Sequence, residues 1–514
     1  MSASQTVAEQ GSSQPISLGM ALRKVFSFPV FLGVLLFAGV FASTFARGTF
    51  GANLVSEGDT WWHLATGERI LATHHLPVTD PYSFTVNGQP WLVYEWLGEV
   101  TIGYFGRLGG LAGLSTLLLV VSGTLLLLLY YYAYLRSANW KASFVACTLV
   151  LPLTTFFFTL RPQLIGYVFL LITLICLERF RSGRQQTLWI LPPLFLIWVN
   201  VHGSFALGFL VLGVYWVSGL REFQIGGLVA KAWSPRQRLH IAYIFLLSLL
   251  AALVTPYGSR IAAYPLQPIL MQPVGVASIL EWMPMPFNLM MGKMLLGGLL
   301  LFIVALAAAR PVFRVEDFGL FLIAMAGAIL HRRLMLFLLV IFIPIIATLI
   351  RGWFSRYRPE IDHYILNAAL IFLIALAIVK FSPTSDKLAS ILPQKFPVGA
   401  VSYLRQHPLD APMFNEYGWG GYLIWARPEG KVFIDGRADI YEYAGVLSDY
   451  LDISRLAPNT LFLLRKYNVG ACLLEPSNPL GTLLRVLPDW EIVYQDKTSI
   501  LFVRKNPRSN SGTS

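Results

Sequence analysis

The chain carries about eleven apolar runs, most of them about 17 residues or longer, and this feature constrains its fold more than any other. Backbone hydrogen bonds in hydrocarbon must be closed within the protein, so serial apolar runs of this length specify a polytopic α-helical membrane protein. The first run covers 26–46, and the others fall near 111–135, 143–160, 163–178, 187–201, 204–220, 241–255, 294–309, 318–330, 334–350 and 364–380. A soluble globular protein is excluded, since 56% of the 514 residues are hydrophobic and only 13% are charged. Arg23 and Lys24 precede the first run, which is longer than the core of a secretory signal peptide and reads as a retained helix.

The net charge of +12 does not point to nucleic acid, because the Lys and Arg residues sit in alternate loops. With the N-terminus inside, Arg136/Lys141, Arg179/Arg181/Arg184, Arg221/Lys231/Arg236/Arg238, Arg310/Arg314 and Arg351/Arg356/Arg358 all fall on the cytoplasmic side. That alternation sends the loop 47–110 and everything after Lys380 to the outer side. Cys147, Cys176 and Cys472 are too widely spaced for a disulfide framework or a metal motif.

Three basic residues break the charge rule: Arg161, Arg332 and Arg333 lie in very short outer turns. A charge near the hydrocarbon boundary faces a cavity, a partner or a lipid headgroup. Snorkelling to lipid phosphate is one reading; an outward-facing anion site for a lipid-linked phosphate is the other. His202, in a tight turn between two runs, and Glu281 with Trp282, in a Pro-rich outer segment, are further candidates for that cavity. Each also has a plain reading, as an interhelical hydrogen-bonder and a solvated carboxylate.

The outer loop opens with Glu57-Gly58-Asp59-Thr60-Trp61-Trp62-His63. Asp59 is placed to cap a helix starting at Thr60, with Trp61 at the membrane surface, and equally to act as a catalytic carboxylate. Asp80 before Pro81 is a turn former, and Asn87-Gly88 signals a hairpin. Glu95 and Glu99 are four apart on one helical face, set at interface depth by Trp91, Tyr94 and Trp96. Carboxylates at that depth suit a base for an acceptor hydroxyl, or ligands for a divalent cation such as Mg or Mn, which the two carboxylates Glu57 and Asp59 leave open.

From about Phe396 the hydropathy falls, and strands at 413–415, 431–434, 469–474, 490–494 and 500–503 alternate with helices at 398–406, 419–425 and 458–466. This predicts a small α/β domain ending in an antiparallel hairpin. The expected organisation is a cytoplasmic tail 1–25, a membrane domain 26–380, a linker 381–395, an extracytoplasmic α/β domain 396–505 and a disordered tail 506–514. Asp435, Arg437 and Asp439 follow a buried strand, where loops carry ligand contacts, and an Asp–Arg pair there also serves to hold the domain in place.

One span, an outer loop with an early Asp, many further spans and an outer C-terminal domain resemble the C-type (GT-C) integral-membrane glycosyltransferases. The resemblance implies a polyprenyl-phosphate-linked sugar donor, with Asp59 as the catalytic residue, supported by Glu95, and Arg161, His202, Arg332 and Arg333 as ligands of the donor phosphate. Glu57, His63, Asp80, Glu281, Trp282, Tyr417, Trp419, Asp435 and Arg437 are candidate substrate contacts. The chain is also similar to a bacterial group with Gly58-Asp59-Thr60-Trp61-Trp62-His63, Arg161-Pro162-Gln163, His202-Gly203-Ser204-Phe205, Glu281-Trp282 and Gly420-Gly421-Tyr422-Leu423 signatures. Asn415 to Tyr422 resembles the acceptor-peptide motif of oligosaccharyltransferases but lacks its consecutive tryptophans and intervening Asp.

The function expected from these features is sugar transfer to a lipid, glycan or protein acceptor on the outer face of a bacterial inner membrane, among membrane lipids. A lipid or polysaccharide transporter is the alternative from another class; it calls for ionisable residues deep within spans and an inverted repeat. A catalytically inactive scaffold of the same fold is the third reading.

Overall fold

A computed structural model describes residues 18–46, 54, 57–266, 271–309 and 311–505. The tail before residue 18, most of 47–56, Arg310 and the tail 506–514 therefore lie outside the described residues. The membrane-type part contains α1 (Leu18–Val25), α2 (Phe28–Phe41), α3 (Gly58–Thr73), α4 (Trp96–Ser137), α5 (Trp140–Thr154), α6 (Pro162–Arg181), α7 (Leu191–Val201) and α8 (Phe205–Ser218). It continues with α9 (Pro235–Ala252), α10 (Met290–Ala309), α11 (Val315–Leu330), α12 (Met335–Ile350) and α13 (Tyr364–Phe381). Every apolar run forms a helix. By length and composition, six helices are able to cross a membrane among the described residues, and the helices beginning at Phe28 and Phe205 are shorter apolar ones. The tight turn at His202 divides α7 from α8, of 11 and 14 residues.

Helix α4 is two helices joined at Gly109 and Gly110, whose φ of +56° is a left-handed conformation that glycine adopts without a steric penalty. Ser385 covers the break, accepting the Ala112 N–H at 3.1 Å and donating to the Gly109 carbonyl. The first half of α4 crosses α3 backbone to backbone at Gly67 and Gly103. At the other end of α4, Arg136 pairs with Asp317 and Glu178, Arg314 with Glu178 and Asp317, and Arg181 with Glu316. Several basic residues of the charge pattern are thus consumed in a buried ion network.

In the C-terminal part a four-stranded sheet has the order β4-β5-β7-β6, where β4 is Met413–Asn415, β5 Ala471–Leu474, β6 Trp490–Gln495 and β7 Ile500–Arg504; β1 to β3 form a small separate sheet from Phe223–Ile225, Leu228–Ala230 and Phe313–Arg314. β4 and β5 are parallel, and β6 and β7 form the expected antiparallel hairpin. The strand expected at 431–434 is absent. The Asn415 side chain takes the place of a ladder partner there, accepting the Phe433 N–H at 2.8 Å and donating to the Ile434 carbonyl at 2.9 Å. The segment pairs instead with the outer loop: the Phe84 N–H donates to the Val432 carbonyl and the Val432 N–H to the Tyr82 carbonyl.

This junction buries Trp61 completely, against Phe396, Tyr422 and Trp425 with ring centroids 4.7–5.7 Å apart. Trp61 is therefore a core residue rather than a marker of the lipid surface, and burying a side chain of this size contributes about 3 kcal/mol. A second tie is Arg437, buried between Asp80 Oδ1 at 2.7 Å and Asp435 Oδ2 at 2.6 Å, with its guanidinium 4.5 Å from the Trp91 ring centroid. Asp80 also accepts the Ser83 hydroxyl and the Ser83 N–H, so the expected turn and the ion pair share one carboxylate.

Candidate functional site

A cavity of about 750 Å³ opens where the starts of α3, α4 and α6 meet the turn after α7, the segment 278–282 and the loops 417–418 and 436–439. Its wall includes Glu57, Asp59, Glu95, Arg161, His202, Glu281 and Arg333, which are far apart in the chain.

Arg161 is the N-cap residue of α6, with extended backbone geometry imposed by Pro162 at the first helical position. Its guanidinium is shared by three carboxylates: Nη2 contacts Glu57 Oε1 and lies 2.8 Å from Asp59 Oδ2, and Nη1 lies 2.7 Å from Glu281 Oε1. The Thr60 hydroxyl donates to the Leu160 carbonyl at 3.1 Å and pins the start of α3 beside it. Helix α3 begins at Gly58 with Glu57 as its N-cap and no side-chain cap bond. Asp59 therefore does not cap the helix; it stands in the first turn, where the helix dipole favours a negative charge. Burial raises the Asp59 pKa, Arg161 lowers it, and Glu57 and Glu281 raise it, leaving it at about 6. At Glu281 burial also acts upward, but Arg161 and Arg333 outweigh it and hold the carboxyl below its usual range.

Deeper in the wall, His63 lies between two carboxylates, with Nε2 3.6 Å from Glu95 Oε2 and Nδ1 3.4 Å from Glu99 Oε1. His202 Nδ1 accepts the Ser204 N–H at 2.9 Å, which leaves Nε2 to carry the proton of the neutral ring, 3.3 Å from Glu95 Oε1. Burial is the largest influence on all three: it pushes Glu95 up to about 8, against the opposing pull of Arg333, and lowers both imidazoles well below their usual pKa. At pH 7 this places an ionised Asp59 and a protonated Glu95 in one cavity.

The turn 331–333 is held to the segment 281–283 by the Arg333 N–H to the Glu281 carbonyl and the Arg332 N–H to the Met283 carbonyl. The Arg333 guanidinium sits 4.2 Å from the Trp282 ring centroid and forms no ion pair among the described residues. Arg332 does not line the cavity.

Tyr417 reaches the cavity and donates to the Gly436 carbonyl at 3.4 Å. Trp419 is buried away from it, donating to the Lys395 carbonyl. Asp80 and Asp435 are behind the wall, committed to Arg437. Gly436 closes over the carboxylate itself: a Cβ there would stand 1.7 Å from Asp59 Oδ1. Asp439, expected beside Asp435 and Arg437, lines the cavity and accepts the Tyr264 hydroxyl at 3.0 Å, while the Tyr264 ring lies tilted against Tyr94; Gly436 and Tyr264 are not among the sequence candidates. Nothing in the sequence signals them, since each matters through a contact with a distant segment.

Glu57, Asp59 and Glu281 turn their oxygens onto the Arg161 guanidinium, which takes the position a divalent cation would need. Among the described residues no group of His, Cys, Asp or Glu is arranged to hold a metal ion. This donor set does not fit a cation in this conformation, and no step is derived through one.

No protein-family model and no curated protein matches the sequence. Among solved structures, the chain is similar to the oligosaccharyltransferase of Archaeoglobus fulgidus tethered with an acceptor peptide containing the NVT sequon, at a TM-score of 0.51 and 11% identity over 88% of this chain and 70% of that one. It is similar to the same organism's AglB in complex with an inhibitory peptide and a dolichol-phosphate, at 0.50 and 12% over 86% and 68%. ArnT from Cupriavidus metallidurans bound to undecaprenyl phosphate gives 0.47 and 14% over 92% and 97%.

Proposed function

We propose that this chain, which has the fold of the C-type integral-membrane glycosyltransferases, transfers a glycosyl group from a polyprenyl-phosphate-linked donor to a hydroxyl of a lipid, glycan or protein acceptor. The reading rests on one observation: the Asp59 carboxylate and the Arg333 guanidinium, which has no carboxylate partner among the described residues, line a single cavity. The likeness to an enzyme solved with dolichol-phosphate supports the donor class. In this reading the cavity faces the outer side of a bacterial inner membrane, the N-terminus is cytoplasmic, 26–380 is the membrane domain and 396–505 the extracytoplasmic domain.

Asp59 takes the proton of the acceptor hydroxyl as its oxygen bonds to the sugar C1. The bond from C1 to the phosphate oxygen breaks, and the polyprenyl phosphate leaves with the electron pair. Arg333, stacked on Trp282, stabilises the charge on the leaving phosphate, where exclusion of water strengthens the interaction. Arg161 acts at one remove: committed to three carboxylates, it holds Asp59 in place and keeps it ionised. His202 is neutral, with its one N–H turned to Glu95 and its other ring nitrogen accepting from Ser204, so it brings the phosphate no charge; Arg332 stands outside the wall. Glu95, protonated at neutral pH, is a hydrogen-bond donor beside the base.

The test is to incubate the purified protein with a pool of polyprenyl-phosphate sugars and native membrane lipids. Mass spectrometry should show release of polyprenyl phosphate together with a new glycosylated product. Consumption of no donor by a protein that binds polyprenyl phosphate would leave the scaffold reading in its place.

A further inference from the structure

At the far end of α4 from the Asp59 cavity lies a second cavity, of about 1020 Å³, between α2, α4, α5 and α13. We propose that it is a binding site for an anionic membrane phospholipid. The inference is independent of the transfer reaction.

The groove exists because α13 stands off the bundle. Only 6% of its spanning window is buried, and it packs on α2 at one side. The walls that remain are apolar: Val30 and Phe37 on α2, Leu127 on α4, and Ile371 and Ile374 on α13. Such a slot, in a protein read as spanning a membrane, takes an acyl chain. At one end the chemistry changes abruptly. Arg23 and Lys24 line the mouth, and neither enters an ion pair among the described residues. The nearby carboxylate, Asp362, is already engaged: it accepts the Phe28 N–H at 2.9 Å, the Tyr357 hydroxyl at 2.6 Å and the Asn367 amide at 2.8 Å. Arg23 instead leans over the Tyr364 ring at 5.8 Å.

The mouth also carries Tyr131, Trp140 and Tyr357, aromatic residues of the kind that settle at headgroup depth. Two cations without carboxylate partners above an apolar slot, within an aromatic girdle, match a lipid whose phosphate carries an uncompensated negative charge. A zwitterionic lipid would set its own ammonium against the same two cations. A single-chain polyprenyl phosphate shares the charge, but its place in the proposed reaction is the Asp59 cavity at the other end of α4.

The test is native mass spectrometry of the purified full chain with phosphatidylglycerol, phosphatidylcholine or a polyprenyl phosphate added to the detergent. Phosphatidylglycerol should be retained in preference to phosphatidylcholine, and high salt should remove that preference, while polyprenyl phosphate should bind independently, in the Asp59 cavity. The double variant Arg23→Ala/Lys24→Ala should bind it about 30-fold more weakly, from about 1 kcal/mol for each basic group. Val30→Trp, which fills the slot and leaves the charges, should also lose it. Equal retention of phosphatidylcholine, undiminished phosphatidylglycerol binding in the double variant, or an equal loss of polyprenyl phosphate binding in that variant would each overturn the proposal. The comparison of lipids and salt on the unaltered chain decides it even where a variant fails to fold.

Discussion

Arg161 Nη2 lies 2.8 Å from Asp59 Oδ2 although the two residues are separated by most of the outer loop and by α4 and α5. The guanidinium does more than neutralise: it offsets the upward pressure of burial, Glu57 and Glu281 on the same carboxyl. Replacing Arg161 by Met should therefore raise the Asp59 pKa by roughly one to three units. At pH 7 transfer should fall between about twofold and a hundredfold and recover in part at higher pH; a rate lowered equally at all pH values would show that Arg161 acts on something other than protonation.

The opposed protonation states of Asp59 and Glu95 predict a bell-shaped profile. The base form of Asp59 is lost as pH falls through about 6, and the acid form of Glu95 is lost as pH rises through about 8. Glu95→Gln, which keeps a hydrogen-bond donor without a proton to lose, should retain much of the transfer at pH 7 and abolish the alkaline limb. Persistence of that limb in the variant assigns it to another group.

Gly436→Ala should separate geometry from stability. The added carbon would stand 1.7 Å from Asp59 Oδ1, so the carboxylate or the loop must move. A displacement of about 1 Å at a reacting group costs about a hundredfold in rate. We expect that loss in kcat, with the melting temperature of the detergent-solubilised protein changed far less; an unaltered kcat would show that the loop yields without disturbing the carboxylate.

Arg437→Met should act in the opposite way. It leaves Asp80 and Asp435 buried without their cation, a loss of about 3–5 kcal/mol for a broken buried pair. The melting temperature should drop, and limited proteolysis should cut within the outer loop near Asp80 and within the segment around Asp435 that it is tied to. Resistance equal to the unaltered chain would mean that this ion pair does not tie the two together.

These residues also show what was legible beforehand. Arg161 and Arg333 were readable as cavity candidates because each is a charge in a short turn beside apolar runs, where it faces a cavity, a partner or a headgroup; that Arg332, next to Arg333, stays out of the cavity was not readable. The partner of each charge was not readable. For Arg161 a partner charge, a headgroup and a lipid-linked phosphate were all open, and the structure sets three carboxylates on it, through the approach of Glu57 and Glu281 from distant segments. The helices followed from apolar run length alone, whereas the break in α4 depends on Ser385 reaching back to Gly109 and Ala112. The strand expected at 431–434 has the right residues, but Asn415 competes for its backbone and the outer loop takes the remainder. Periodicity carries local preference; it carries no record of which distant segment arrives.

The central claim is that Asp59 is the base of a glycosyl transfer, and its most direct measurement is the turnover of polyprenyl-phosphate sugars by Asp59→Asn. That substitution preserves size and removes the proton acceptor. The account predicts loss of transfer by about two to four orders of magnitude, as for removal of a general base, with polyprenyl phosphate binding retained through Arg333. Transfer by the variant at the rate of the unaltered protein would contradict it.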